Sequence, residues 1–186
     1  QIYFLDDIQS PETGYWGPWY SSDDAILRYD DLSYTFHIVS YRKGNVRLWP
    51  KIIGTTLDRR DDEYPLGWRS RGQFNNHNNY DVAKIIRHGW HHMTADQQDF
   101  SSQQLDQMVN WCLKQSMRPD GSFVFDETFY NSLESCHYFG VSFLDEVGYF
   151  RPRKRFWTKQ TFPEAADVQH RVIARLDEFC RSEEHT

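Results

Sequence analysis

Pro11-Glu12-Thr13-Gly14-Tyr15-Trp16-Gly17 sets how the rest of the chain is read. Glycines on either side of two large aromatics, behind a proline, make a turn that carries apolar bulk. The device returns twice. Gly67-Trp68 follows Tyr64-Pro65-Leu66, and Asp120-Gly121-Ser122-Phe123 follows Pro119. Trp16 to Trp68 is 52 residues and Trp68 to Phe123 is 55, so the chain is a repeat of about that period.

After each turn comes a polar stretch and then a helical pattern, at 31–42, 79–91 and 133–150. Each pattern carries an acid near its start, Asp31, Asp81 and Glu134. A second helical pattern follows each of these. Residues 46–57 place Leu48, Ile52, Ile53 and Leu57 at helical spacing, with Pro50 in the first turn. Residues 101–117 place Leu105, Met108, Val109, Cys112 and Leu113 on one face, and Ser101 or Ser102 is the expected cap. Residues 162–180 carry Val168, Val172, Ile173, Leu176 and Phe179, with Pro163 suited to the first turn. No alternating strand pattern competes. The unit is therefore turn, helix, short link, helix. The predicted units are 9–60, 61–118 and 119–180, all within one domain, 1–180. Asp61-Asp62-Glu63 and Arg151-Pro152-Arg153-Lys154-Arg155 read as charged links.

Composition agrees with a packed domain. Of 186 residues, 39% are apolar, but 11 Tyr, 13 Phe and 7 Trp make 17% aromatic, and large rings bury large areas. With 21 Lys+Arg against 27 Asp+Glu, the net charge is −6, the wrong sign for a general nucleic-acid binder. Mean hydropathy is −0.79, and no apolar run approaches a membrane span. Cys112, Cys136 and Cys180 form neither a disulfide framework nor a zinc spacing, and the compartment stays open. The final Arg181-Ser182-Glu183-Glu184-His185-Thr186 resembles the translated start of a sequencing adapter and is expected to be non-native. The chain as a whole reads as an internal fragment.

A helical hairpin cannot bury its apolar face alone, so neighbours must stack. Units above 50 residues with Gly-aromatic turns resemble the α/α toroids, in which about six hairpins close into a barrel. PETGYWG and RPDGSF look like the turns that precede an inner helix there. The resemblance implies an all-α fold of three tandem hairpins, part of an incomplete ring, with the remaining hairpins of the parent chain as partners. It also implies a carbohydrate-active enzyme, because glycoside hydrolases and polysaccharide lyases share this architecture. Terpene and prenyl cyclases share it too. They need an Asp-rich motif on an apolar helix, whereas Asp61-Asp62-Glu63 sits in a charged link, and this ranks below the glycan reading.

Turns on one face of a ring would gather Trp16, Trp19, Trp68, Phe123, His37, Glu134, His137, Tyr138 and the 75–81 segment around one cavity. Within Gly72-Gln73-Phe74-Asn75-Asn76-His77-Asn78-Asn79-Tyr80-Asp81, four Asn and a His in five positions disfavour a helix interior. The segment is expected to be a turn, with Asn78 or Asn79 capping the next helix. Asn75-Asn76-His77 resembles the Asn-Asn-His motif of alginate-lyase-like toroid enzymes. That resemblance implies that Asn76 polarises a uronate carboxylate, that His77 takes the α-proton, and that Tyr138 or Tyr80 protonates the leaving oxygen. The substrate would be a uronate-containing polysaccharide or oligosaccharide, without cofactor or metal. Trp16, Trp68, Phe123, Asn75, His37, Asp31 and His137 would line its binding site.

The acids support a second reading. Asp31, Asp81 and Glu134, two of them within about 5–10 Å of each other, would permit glycoside hydrolysis. A third reading is a glycan-binding module without turnover, dependent on Trp16 or Trp68. His88 and His92 at i, i+4 are weak metal candidates without a third ligand. Cys136 and His137 are adjacent on a helix and point apart, so they make a poor nucleophile pair. The basic run 151–155 reads as a solvated link before it reads as a guide for an anionic polymer.

Overall fold

The computed structural model describes residues 2–21, 25–127 and 130–183. Among them it is mostly helical, with seven α-helices and two short strands. The helices are α1 (Ile2–Asp7), α2 (Leu32–Tyr41), α3 (Trp49–Asp58), α4 (Asn76–Gly89), α5 (Ala95–Trp111), α6 (Leu133–Glu146) and α7 (Ala165–Glu183). Strands β1 (Trp19–Ser21) and β2 (Ile26–Arg28) pair antiparallel. All six expected helices are present. The strands and α1 are additions that the periodicity did not announce.

The local reasons are legible. Asp31 caps α2, its carboxylate accepting the Tyr34 N–H at 2.8 Å. Pro50 lies in the first turn of α3, where a missing N–H does no harm. Ser132 caps α6, and Gly148, at φ 74°, stops the chain just past it. Two boundaries differ from expectation. Helix α5 starts at Ala95, capped by Thr94 in a reciprocal box with Gln97, so Ser101 is an interior, buried residue. Helix α4 starts at Asn76 with Asn75 as its cap, accepting the Asn78 N–H at 2.8 Å. The asparagines therefore form the first helical turn rather than a loop. Tertiary hydrogen bonds offset their poor propensity: Asn76 Nδ2 donates to Ser116 Oγ at 2.8 Å and Asn78 Nδ2 to the Trp68 carbonyl at 3.0 Å. Ser116 comes from the π-helical turn Cys112–Ser116 that ends α5.

The first helices of the three units, α2, α4 and α6, pack side by side. They run parallel. Phe36 meets Tyr80 at 5.2 Å between ring centres, and further along Gly44 lies against His88. His77 stacks on Phe139 at 4.1 Å, and further along Lys84 Nζ and Arg87 converge on the Glu146 carboxylate. The core runs beneath this layer through Ile52, Ile53, Val82, Ile85, Leu105, Met108, Phe143 and Leu144, all 1% exposed or less. Helix α7 adds Val168 and Val172. It comes so close to the third turn that a Cβ on Gly121 would stand 2.6 Å from the Arg171 backbone.

Each aromatic turn is tied to the helix that follows it. The Trp16 backbone N–H donates to Thr35 Oγ1 of α2 at 3.0 Å. The Trp68 carbonyl holds Asn78 of α4, and the Phe123 ring fills the space left by Gly140 of α6. The repeat is thus a structural one. Among the described residues no helix is long and apolar enough to cross a membrane. Of the expected non-native tail 181–186, the last three residues lie outside those described, and the preceding three continue α7.

Candidate active site

Two open hollows lie over the starts of α2 and α4, and Tyr64 lines both. The first, about 340 Å³, is bounded by Glu63, Tyr64, Ser70, Arg71, Asn75, His77 and Asn78. The second, about 570 Å³, is bounded by Pro18, Tyr20, Leu27, Tyr29, Asp31, Tyr64 and Pro65. Tyr64 reaches this position because Leu32 N–H, at the start of α2, donates to the Pro65 carbonyl at 2.8 Å. Its hydroxyl then meets Asp31 Oδ2 at 3.4 Å.

His77 and Asp81 stand one helical turn apart on α4. His77 Nε2 stands 3.7 Å from Asp81 Oδ2. Burial against Phe139, with His37 nearby, lowers the His77 pKa to about 4. At neutral pH it is an uncharged imidazole, with 32% of its side chain still open to the hollow. Asp81 is fully enclosed, and burial drives its carboxyl well above the ordinary range. Ser33 draws it back in part and Asp31 adds to the rise, yet neither oxygen has a hydrogen bond of normal geometry. With His77 uncharged at neutral pH, the 3.7 Å contact is not an ion pair there. Asp31 is also raised by burial, against its cap hydrogen bonds, and Tyr64 is pushed up to about 12 by burial and the neighbouring Asp31 and Asp81.

The expected site residues divide. Asp31, His77 and Asp81 come together, with Asn75 on the wall of the first hollow. His37, exposed, stands close enough to influence His77 and stacks on Tyr41. Tyr80 and Tyr138 approach each other at 6.4 Å between rings on the α6 side, and both meet Phe139. Burial and its hydrogen bond to Tyr138 raise Tyr80, while Tyr138 is exposed.

The remaining residues lie elsewhere. Asn76 is wholly buried and turned toward Ser116, with its backbone N–H on the Tyr130 hydroxyl at 3.2 Å. Asp81 is the sixth residue of α4 and not its opening acid, since the helix begins earlier than the pattern implied. Glu134 is exposed at the start of α6, where Ser132 lowers its pKa. His137 is buried, with Nδ1 on the Leu133 carbonyl at 2.9 Å and its ring edge-on to Phe123. Trp16, Trp68 and Phe123 are at most 1% exposed and offer no face to a ligand. Trp19 is exposed on β1, away from the other turn aromatics.

The weaker candidates are structural in their contacts. His92 stacks on Trp49, and His88 lies beside Gly44. Among the described residues no group of three or more His, Cys, Asp or Glu is placed to hold a metal. Cys136 Sγ donates to the Val124 carbonyl, away from the His137 contacts. Arg151 and Lys154 fold back onto Asp145.

Sequence reasoning missed Tyr64, Tyr20, Tyr29 and Arg71. The signal for Tyr64 was present: it opens the Tyr64-Pro65-Leu66-Gly67-Trp68 turn, the same device that marked the repeat. The chain matches no protein-family model, no curated protein and no solved structure.

Proposed function

We propose that the chain is part of an α/α-toroid enzyme that cleaves uronate-containing glycans by β-elimination, in the cleft formed by the two hollows. The parallel layer of first helices, each preceded by an aromatic turn, supports the architecture. One observation carries the chemistry. An uncharged, partly open imidazole, His77, shares a hollow with a protonated phenol, Tyr64.

In that reading His77 takes the proton on the carbon next to the uronate carboxylate. The electron pair left behind forms a carbon–carbon double bond, and the glycosidic carbon–oxygen bond at the next carbon breaks. The leaving oxygen takes the Tyr64 proton. A phenol held near 12 matches a strongly basic leaving alkoxide better than a carboxylic acid would. Arg71, on the wall of the same hollow, supplies the charge that receives the uronate carboxylate. Asn76 is enclosed and does not take that part. Tyr64 replaces Tyr138 and Tyr80 as proton donor because it alone of the three lines the hollow with His77.

The hydrolase reading is favoured less. It needs two carboxylates that reach the substrate, and Asp81 is 0% exposed while Asp31 is 7%. The test is incubation of the protein with acidic and neutral polysaccharides, following absorbance near 235 nm together with reducing ends. Both should rise. His77→Ala and Tyr64→Phe should each lower the rate by about a hundredfold or more with binding retained. New reducing ends without absorbance would move the chemistry to Asp31. Binding that leaves both signals flat would make this a glycan-binding module.

A further inference from the structure

The two hollows differ in chemistry, and the difference identifies the substrate further. The first carries Arg71 and the amide-rich start of α4, and also Glu63, whose carboxylate already accepts the Arg71 and Gly72 backbone N–H groups. Among the described residues no lysine, arginine or histidine lines the second, and its charged group is Asp31, with Pro18, Tyr20, Leu27, Tyr29, Tyr64 and Pro65 around it.

The β-hairpin builds this second hollow. Tyr20 is paired directly with Leu27, so the two share one face of the ribbon, and Tyr29 follows Leu27 by two residues on that same face. Tyr20 and Tyr29 meet edge to face at 5.4 Å. Trp19 and Arg28, the neighbouring pair, occupy the opposite face. Gly17 allows the ribbon to fold back: a Cβ there would stand 1.7 Å from the Tyr29 carbonyl oxygen. Tyr20, Tyr29 and Tyr64 remain 54%, 52% and 42% exposed, although they could have been buried as the turn aromatics are. Open phenol rings with hydroxyl tips fit a flat ligand that has apolar faces and a hydroxylated edge.

We infer that the Tyr20–Tyr29–Tyr64 hollow is a sugar subsite for an uncharged ring, adjoining the uronate subsite beside Arg71, so that the substrate is a mixed glycan in which a uronate is linked to a neutral sugar. This rests on the glycan reading above. A carboxylated ring in the second hollow would meet Asp31 and no cation, whereas a neutral ring would find aromatic faces and an acceptor for its hydroxyls. A polymer of uronate alone would fill only one hollow well.

The test is calorimetric binding of two defined probes of equal length. These are hyaluronan oligosaccharides, which alternate a uronate with an uncharged N-acetylhexosamine, and polymannuronate oligosaccharides, which are all uronate. The alternating probe should bind about tenfold tighter. Tyr20→Ala should weaken it about tenfold, while Tyr20→Phe keeps most of the affinity. Trp19→Ala, on the other face of the same ribbon, should leave it unchanged and control for damage to the hairpin. Equal affinity for the two probes, binding of neither, or equal losses from Trp19→Ala and Tyr20→Ala would overturn the subsite. The subsite and the elimination chemistry fail separately. Tyr20-dependent binding without absorbance at 235 nm sinks only elimination. Turnover indifferent to Tyr20→Ala sinks only the subsite.

Discussion

His77 and Asp81 are one turn apart on α4, and their burial acts on stability in opposite senses. The folded-state pKa of His77 is about 4, against 6.5 for the free side chain. Between those values the unfolded chain binds more protons than the folded one, so its contribution is lost as the pH falls from about 6.5 toward 4. Asp81 is raised. Its carboxyl holds the proton to higher pH in the fold than in the unfolded chain, where it is lost above about 3.9, so stability falls as the pH rises beyond that. Asp81→Asn should therefore stabilise the protein at neutral pH, raise Tm by a few degrees there, and do little near pH ~3.5. His77→Gln should flatten the decline on the acid side. Urea melts at several pH values check both. An Asp81→Asn variant less stable than wild type at every pH would mean that the carboxyl is ionised and paired in the fold.

At the scale of elements, local capping explains where helices start better than hydrophobic period does. The apolar face of α5 is visible from Leu105 onward, yet its cap is eleven residues earlier, at Thr94. Thr94→Ala should destabilise by about 1 kcal/mol, read by chemical denaturation, because the Gln97 N–H loses its side-chain acceptor. A substitution at Ser101, the expected cap, should act instead through the core, where its hydroxyl lies against Met93. Helix α4 carries the opposite lesson. Its asparagine-rich first turn is poor helix by propensity, and contacts from Trp68, Ser116 and Tyr130 hold it. Those contacts turn Asn76 and Asn78 inward and leave His77 on the open side.

Across the whole molecule, the parallel layer is tied at both ends. Near the helix starts it is held by rings, Phe36 with Tyr80 and His77 with Phe139. Near the far end of α4 and α6 it is held by charge, Glu146 gathering Lys84 and Arg87. Glu146→Ala leaves two cations facing each other. The loss should be about 2 kcal/mol, below the ~3–5 kcal/mol of a fully buried pair because the cations are 23% and 25% exposed. If denaturation finds no change, the tie is a surface pair of little worth. High salt should weaken the wild type and not the variant.

Period, turn residues and amphipathic faces are properties of neighbours along the chain. For that reason all six helices of the three units, the roles of Pro50 and Asp31, and the recurrence of the aromatic turn were legible in the sequence. Which of those aromatics face a ligand was not. Trp16, Trp68 and Phe123 look like lining residues because they are large and sit in turns, but burial decides, and each is at most 1% exposed. Asn76 and His77 are adjacent in sequence and face opposite environments, because a helix turns about 100° per residue and α4 begins at Asn76. Tyr64, Tyr20, Tyr29 and Asp31 come from three segments that no local pattern connects. Only the return of the 62–73 turn over the start of α2, and the fold of the β1–β2 ribbon beside it, bring them to one hollow. Local chemistry determined the elements; the site is long-range contact, and tertiary packing alone chose its members.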